Sequence, residues 1–186
     1  SQPRGLCRRR DQPSGNAGGA QPAMSEKWDI RYLEMARLVA GWSKDPSTQT
    51  GAVIVRPDNS VASVGYNGFP RGIEDTPERY NDRETKYSFI VHCEMNAVLS
   101  AHDNVKGNTL YTWPFLSCDR CAVHMIQAGI TRVVAPSCPP DKADRWEPIL
   151  TESKRRFEEA GVEWVEIPFE TFEAVSYTHL TLPTKA

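Results

Sequence analysis

The sequence predicts an α/β fold in three layers, α/β/α, built on a mixed five-stranded sheet with helices on both faces. Three observations carry that expectation. Helical and strand-like stretches follow one another in the order α-β-β-α-β-α-β-α-β along the 186 residues. The first two strand-like runs are separated only by the turn Pro57-Asp58-Asn59, which makes them an antiparallel hairpin. The third and fourth are joined by a single short helix closed by Gly129, the spacing of a parallel β-α-β crossover. No internal repeat is visible.

Residues 1–24 are rich in Gly, Pro, Gln, Ala and Arg without periodicity and are expected to form a disordered extension, with Met24 reading as a natural start. Arg8-Arg9-Arg10 could anchor an acidic surface, but a solvated tail is the ordinary reading of such a run. A single domain is expected over 25–175. Ser25 is placed to cap a first helix, along which Trp28, Ile30, Tyr32, Leu33, Met35, Ala36, Leu38 and Val39 recur at near-helical spacing. Strands follow over Gly51–Val55 and Val61–Gly65. Gly65-Tyr66-Asn67-Gly68-Phe69-Pro70-Arg71-Gly72 is an irregular loop of turn-forming residues whose Asn67 amide could also bond a sugar hydroxyl or base edge. The polar stretch Ile73–Lys86 reads as a mobile loop or lid. An extended run, Tyr87–Val91, leads into a helix over Glu94–Ala101. A strand over Thr109–Trp113 leads into a helix over Cys118–Ala128. Strand Thr131–Ala135, helix Ala143–Ala160 with Gly161 as its cap, and strand Val162–Ile167 complete the fold. Ser176–Ala186 changes character abruptly and is set aside as a non-native or disordered tail.

Composition narrows the function. Hydrophobic residues make up 39% and charged residues 25%, as in ordinary globular proteins. No apolar run reaches membrane-spanning length and no hydrophobic signal segment is present, so a cytoplasmic protein without membrane partners is expected. Five cysteines, an odd number, argue against a disulfide framework. The net charge of −2 conceals a split. Arg4, Arg8, Arg9 and Arg10 lie in the first 24 residues and Lys185 in the tail, so the central region is the acidic part. Such a centre does not favour long nucleic acids but leaves room for a small phosphorylated ligand.

The chemistry concentrates in two places. His92-Cys93-Glu94 offers an imidazole and, two residues on, a carboxylate. Cys118-Asp119-Arg120-Cys121 offers two thiolates. H-x-E alone is a weak signal, and C-x-x-C alone could be a redox pair or half of a structural zinc site. Together they supply three zinc ligands, His92, Cys118 and Cys121, with a fourth position free for water, the pattern of a catalytic site. Each motif also opens a helix, so two positive helix ends favour thiolate and carboxylate at one spot. His102, His124 and His179 are not needed, and Cys138 reads as an incidental loop thiol.

These residues form the H-x-E…C-x-x-C pattern of zinc nucleobase deaminases. Over roughly Trp28–Ile167 the chain resembles the deoxycytidylate (dCMP) deaminases of the cytidine deaminase superfamily. The resemblance is carried also by Lys44-Asp45-Pro46, Gln49 to Val55, Gly65 to Gly72, Thr85-Lys86-Tyr87 and Ile126 to Ile130. It implies a cytidine-deaminase-like fold, zinc as cofactor and Glu94 as the catalytic proton carrier. The implied activity is hydrolysis of dCMP to dUMP and ammonia, supplying thymidylate synthesis. Asn67, Lys86, Tyr87 and Ser117 are the implied substrate contacts. Gly65, Tyr66, Asn67 and Gly68 form the implied loop for regulatory dCTP with magnesium. A homo-oligomer, often a hexamer, is implied as well. The chain departs from the family at three points: Ser117 replaces Pro before the first cysteine, Cys93 replaces the Ala of H-A-E, and Ser137–Lys142 lacks the Tyr that packs over the nucleotide, for which Lys142 or Arg145 could compensate. Rival readings are deamination of cytidine, guanine, a pterin-like ring or tRNA adenosine, a non-catalytic zinc domain for assembly or nucleotide sensing, and a thiol redox protein.

Overall fold

The computed structural model describes residues 25–173. The extension at 1–24 and the tail at 176–186 lie outside the described residues, as does His179. In chain order the elements are α1 (Glu26–Ala40), β1 (Gly51–Val55), β2 (Val61–Tyr66), α2 (Pro77–Asn81), α3 (Arg83–Phe89) and α4 (Cys93–Ser100), then β3 (Thr109–Trp113), α5 (Asp119–Ala128), β4 (Arg132–Pro136), α6 (Pro140–Ala160), β5 (Glu163–Ile167) and α7 (Glu170–Glu173).

The five strands form one mixed sheet in the order β2-β1-β3-β4-β5. β1 is antiparallel to both β2 and β3, with Gly51 opposite Tyr66 on one side and Trp113 on the other. β3, β4 and β5 run parallel. The two-residue period of a strand then divides the core. Ala52, Ile54, Leu110, Val133 and Ala135 face α4, α5 and α6, where they meet Ala97, Met125, Leu150 and Phe157. Val53, Val55, Tyr111 and Val134 face α1 and α7, where they meet Leu33, Ala36 and Phe172. The three expected layers are present. Full burial of each large apolar side chain in these two cores contributes about 1.5–3 kcal/mol.

Two features needed the folded chain to appear. Arg132 donates to both carboxylate oxygens of Asp29, at 2.8 and 2.9 Å, and the Tyr111 hydroxyl donates to Asp29 Oδ1 at 2.8 Å, all within the α1-side core. Both ionised groups are less than a tenth exposed. A pair so buried holds because both Asp29 oxygens and both guanidinium Nη atoms are matched, while Arg132 Nε only approaches Glu163 Oε1, at 3.3 Å, without a hydrogen bond. The second feature is the expected mobile stretch and extended run over 73–91. Residues 77–89 are instead two short helices. Thr76 caps α2 by accepting from Arg79 N, and Pro77 follows in the first turn, where its missing N–H costs nothing. Tyr80 is buried and stacks on Phe69 with centroids 4.3 Å apart, and Lys86 is buried as well. Only two buried anchors, Tyr80 and Lys86, hold this polar segment, so hydrophobic periodicity could not reveal it.

Candidate active site

The two motifs meet because two loops deliver them to the same end of the sheet, where β1 begins and β3 ends. His92 caps α4 and Cys118 caps α5, so both helices start at the site. Val91 and Gly68 exchange backbone hydrogen bonds at 2.9 and 3.1 Å, which pins the residue before His92. Asn96 donates to Tyr66 O at 2.7 Å and Ser63 to Ala97 O at 2.7 Å, fastening α4 to β2. Gly65 permits this close seating: a Cβ there would overlap Ala97 N and Cys93 O. On the other side, Thr112 Oγ1 donates to Phe115 O at 2.7 Å within the loop to Cys118, which contains a cis Trp113–Pro114 bond.

His92 Nδ1 lies 3.4 Å from the sulfur of Cys118 and 3.4 Å from that of Cys121. All three donor atoms fall within 4.8 Å of one another. Tetrahedral zinc, with its ordinary bond lengths to nitrogen and sulfur, separates such donors by about 3.5 Å. The donor set and its spacing therefore fit zinc. Protons compete for the same atoms. The hydrogen bond from Cys121, followed by that from His92, pulls the Cys118 thiol down to about 4 against burial. The bond to Cys118, with Glu94 adding its charge, pushes the imidazole up to about 9. Cys121 is pushed up, first by sharing its proton with Cys118 and then by burial. Zinc must displace the protons of His92 and Cys121.

Glu94 sits in the first turn of α4 and is 5% exposed. The Cys93 thiol donates to Glu94 Oε2 at 3.3 Å. Burial, and next the Glu94 charge, hold that thiol protonated, so it serves as a donor. Glu94, His92 and Cys118 share a cavity of about 350 Å³ with Thr50, Phe115 and Trp146.

The expected substrate residues divide. Asn67, Lys86 and Tyr87 line this cavity and Ser117 does not. The Asn67 amide is engaged by the protein: Oδ1 accepts from Thr50 N at 2.8 Å, and Nδ2 donates to Thr48 O at 3.0 Å and Asp45 Oδ2 at 3.3 Å. Lys86 Nζ is bound to Asp45 Oδ1 at 3.2 Å and Ser47 Oγ at 3.0 Å. Both residues build the wall. Ser117 is 1% exposed and its hydroxyl has no partner. In the Gly65–Gly68 loop, Tyr66 is exposed and packs edge-on against Trp42. Of the two residues that could replace the missing Tyr, Arg145 lines the cavity while Lys142 lines a neighbouring cleft. Sequence reasoning missed Trp146, which packs on Phe115 with centroids 4.9 Å apart. Its signal was available: Trp146 heads the buried stripe Leu150, Ser153 and Phe157 of α6. The ring of exposed His124 hydrogen-bonds within its own helix, to Arg120 O.

A buried carboxylate beside an imidazole and two thiols, at the wall of a nucleoside-sized cavity, suits metal-assisted hydrolytic deamination. Residues 26–137 match the family described as the cytidine and deoxycytidylate deaminase zinc-binding region. An uncharacterized deaminase in the luxG 3′ region of Aliivibrio fischeri is 41% identical over 147 residues, covering 79% of this chain and 98% of that protein. The deoxycytidylate deaminase of Homo sapiens is 37% identical over 142 residues, covering 73% of this chain and 77% of its own. The crystal structure of dCMP deaminase from the cyanophage S-TIM5 shares the fold, with a TM-score of 0.61 at 21% identity over 77% of this chain and all of that one. The chain belongs to the cytidine and deoxycytidylate deaminase family.

Proposed function

We propose that this protein hydrolyses dCMP to dUMP and ammonia at a zinc site made by His92, Cys118 and Cys121, with Glu94 as proton carrier. The observation that carries the proposal is the buried Glu94 carboxylate sharing one cavity wall with two of those donors, His92 and Cys118, while Cys121 lies behind them within 4.8 Å of both. A structural zinc site has no use for that carboxylate. Relatives named deoxycytidylate deaminase at 36–37% identity support the choice of substrate.

Zinc held there would supply the Lewis acidity that readies a water for attack near neutral pH. Glu94 takes a proton from the attacking water as the C4–O bond forms, and passes it to ring N3. It then carries the remaining hydroxyl proton to the C4 amino group. The C4–N bond breaks, ammonia leaves, and the uracil carbonyl remains. The Cys93 thiol holds one oxygen of Glu94 in place during both transfers. Ser117 lies between cavity-lining Leu116 and Cys118, and its main-chain carbonyl is assigned to the substrate amino group. Asn67 and Lys86 act by holding the wall, and Tyr87 acts at the mouth.

Four further readings belong to the same proposal. The domain spans 25–175. The protein works in the cytoplasm, supported by the four described cysteines all being free thiols. It assembles as a homo-oligomer, with a hexamer as the expected form. Magnesium and dCTP regulate it through Gly65–Gly68. Light scattering tests the assembly, and dCTP titration with and without magnesium tests the regulation. Among the described residues no helix is long and apolar enough to cross a membrane.

The deciding experiment measures zinc content together with ammonia release from dCMP, CMP, deoxycytidine and dCTP. One zinc per chain with dCMP preferred is expected. Zinc with turnover of another ring would move the chain to a different substrate of the family. Zinc without any turnover would favour a binding domain, and activity that survives chelation but not alkylation a thiol redox role.

A further inference from the structure

Three cations line the catalytic cavity: Arg83, Lys86 and Arg145. Lys86 is neutralised by Asp45 and buried with it. Arg83 and Arg145 differ in kind. Both are exposed, and neither forms an ion pair among the described residues, although ten such pairs are present elsewhere. They converge from two separate helices on one side chain. Arg145 Nη2 donates to Tyr87 Oη at 3.0 Å, and the Arg83 guanidinium lies 5.2 Å from the centre of the Tyr87 ring. The Arg145 guanidinium also lies over Trp146, 5.2 Å from its ring centre, and Trp146 in turn packs on Phe115. Two like charges gathered on one phenol without a counter-ion, at the rim of the cavity, make that spot favourable for an anionic group of a ligand.

We propose that Arg83, Tyr87 and Arg145 form an anion clamp that grips the 5′-phosphate dianion of the nucleotide, in place of the missing tyrosine of the loop after β4. The proposal rests on the nucleotide reading above and adds the residues that select a monophosphate over a nucleoside. Guanidinium forks bind phosphate oxygens in pairs, and a phenol supplies a third donor. Burial raises the Tyr87 phenol, but the hydrogen bonds from Arg145 and Arg83, with their charges, outweigh it and leave the group lowered. The hydroxyl is thus a strong donor already aimed between the two cations. Trp146 and Phe115, beside the guanidinium of Arg145, offer an apolar floor for the sugar and base. The clamp lies at the mouth and the proton carrier in the wall, so one 350 Å³ cavity holds both ends of a nucleoside monophosphate.

The test compares dCMP and deoxycytidine as substrates of the intact wild-type protein, Arg83→Gln, Arg145→Gln and the double variant. Each single change is expected to raise KM for dCMP by roughly ten- to hundredfold while leaving deoxycytidine kinetics within about twofold. Arg145→Lys is expected to recover part of the loss, since charge returns without the fork. Parallel losses on both substrates, or an unchanged KM for dCMP, overturn the clamp. Binding of inorganic phosphate, followed by line broadening in phosphorus NMR, separates this from the substrate assignment. If the wild-type protein deaminates neither compound, the clamp still predicts phosphate binding that the double variant loses. Equal phosphate binding by wild type and double variant overturns it.

Discussion

Replacing Lys86 with Met isolates the energetics of the cavity wall. Lys86 is 7% exposed and Asp45 6%. Asp45 Oδ1 accepts from Lys86 Nζ at 3.2 Å, Ser47 N at 2.8 Å and Thr48 N at 3.4 Å, and Oδ2 accepts from Asn67 Nδ2 at 3.3 Å. The methionine fills the stem's volume but leaves a buried carboxylate without its counter-charge. Breaking such a pair from one side costs about 3–5 kcal/mol. Three hydrogen bonds to Asp45 survive, so the lower figure, about 3 kcal/mol, applies. For a chain of this length that is a fall in Tm of roughly 6–12 °C. In urea, with a slope near 2 kcal/mol/M, the midpoint moves by about 1.5 M. The companion Lys86→Met/Asp45→Asn removes both charges, and its loss should be clearly smaller than the sum of the two single losses. Matched urea and thermal melts of the four proteins check this. A single-variant loss under about 1 kcal/mol, or additive losses, would refute the view that a desolvated pair holds this wall.

Further outcomes follow from the same geometry. Glu94→Gln should keep its zinc by metal analysis and lose turnover by at least about 10²-fold, because the amide cannot carry the proton. Cys93→Ala removes the thiol that donates to Glu94 and should lower kcat about fivefold at unchanged zinc content, the worth of one modest hydrogen bond. Zinc affinity, measured by chelator competition, should rise with pH through neutrality and go on rising less steeply above about pH 9, because His92 and Cys121 both give up protons to bind below that pH and only Cys121 does above it, while Cys118 is already ionised. Affinity that is flat from pH 6 to 8 would contradict that distribution of protons. Arg132→Met should destabilise by about 3–5 kcal/mol in denaturant titrations, since it strands Asp29 inside the α1-side core.

How much of this was legible before folding depended on the type of signal. β1 and β3 were read to the residue, because short apolar runs between turn formers have few other fates. Gly129 and Gly161 marked helix ends, and both adopt the left-handed conformation that favours glycine, with φ of 84° and 71°. The metal donors were legible because thiols and an imidazole at fixed spacing have few other uses. Residues 77–89 were not, since Tyr80 and Lys86 are buried against partners distant in sequence. The Asp29–Arg132 pair, 103 residues apart, was invisible for the same reason. Asn67 was recognised as part of the site, but its commitment to Thr48, Thr50 and Asp45 depends on a loop whose path no local pattern records.

The antiparallel setting of β1 against both neighbours gives the molecule two unlike ends. The segments before β1 and after β2, β3 and β4 all gather at the cavity. The turns at 56–60 and 103–106, with Gly161, collect at the other rim, where the Arg56–Asp103 ion pair is an exposed one of little consequence. That far rim is an attachment face. A fluorophore, a surface tether or an inserted peptide placed at 57–60 or 103–104, whose residues are exposed, should leave catalysis intact, so the protein can be immobilised with its cavity pointing into solution.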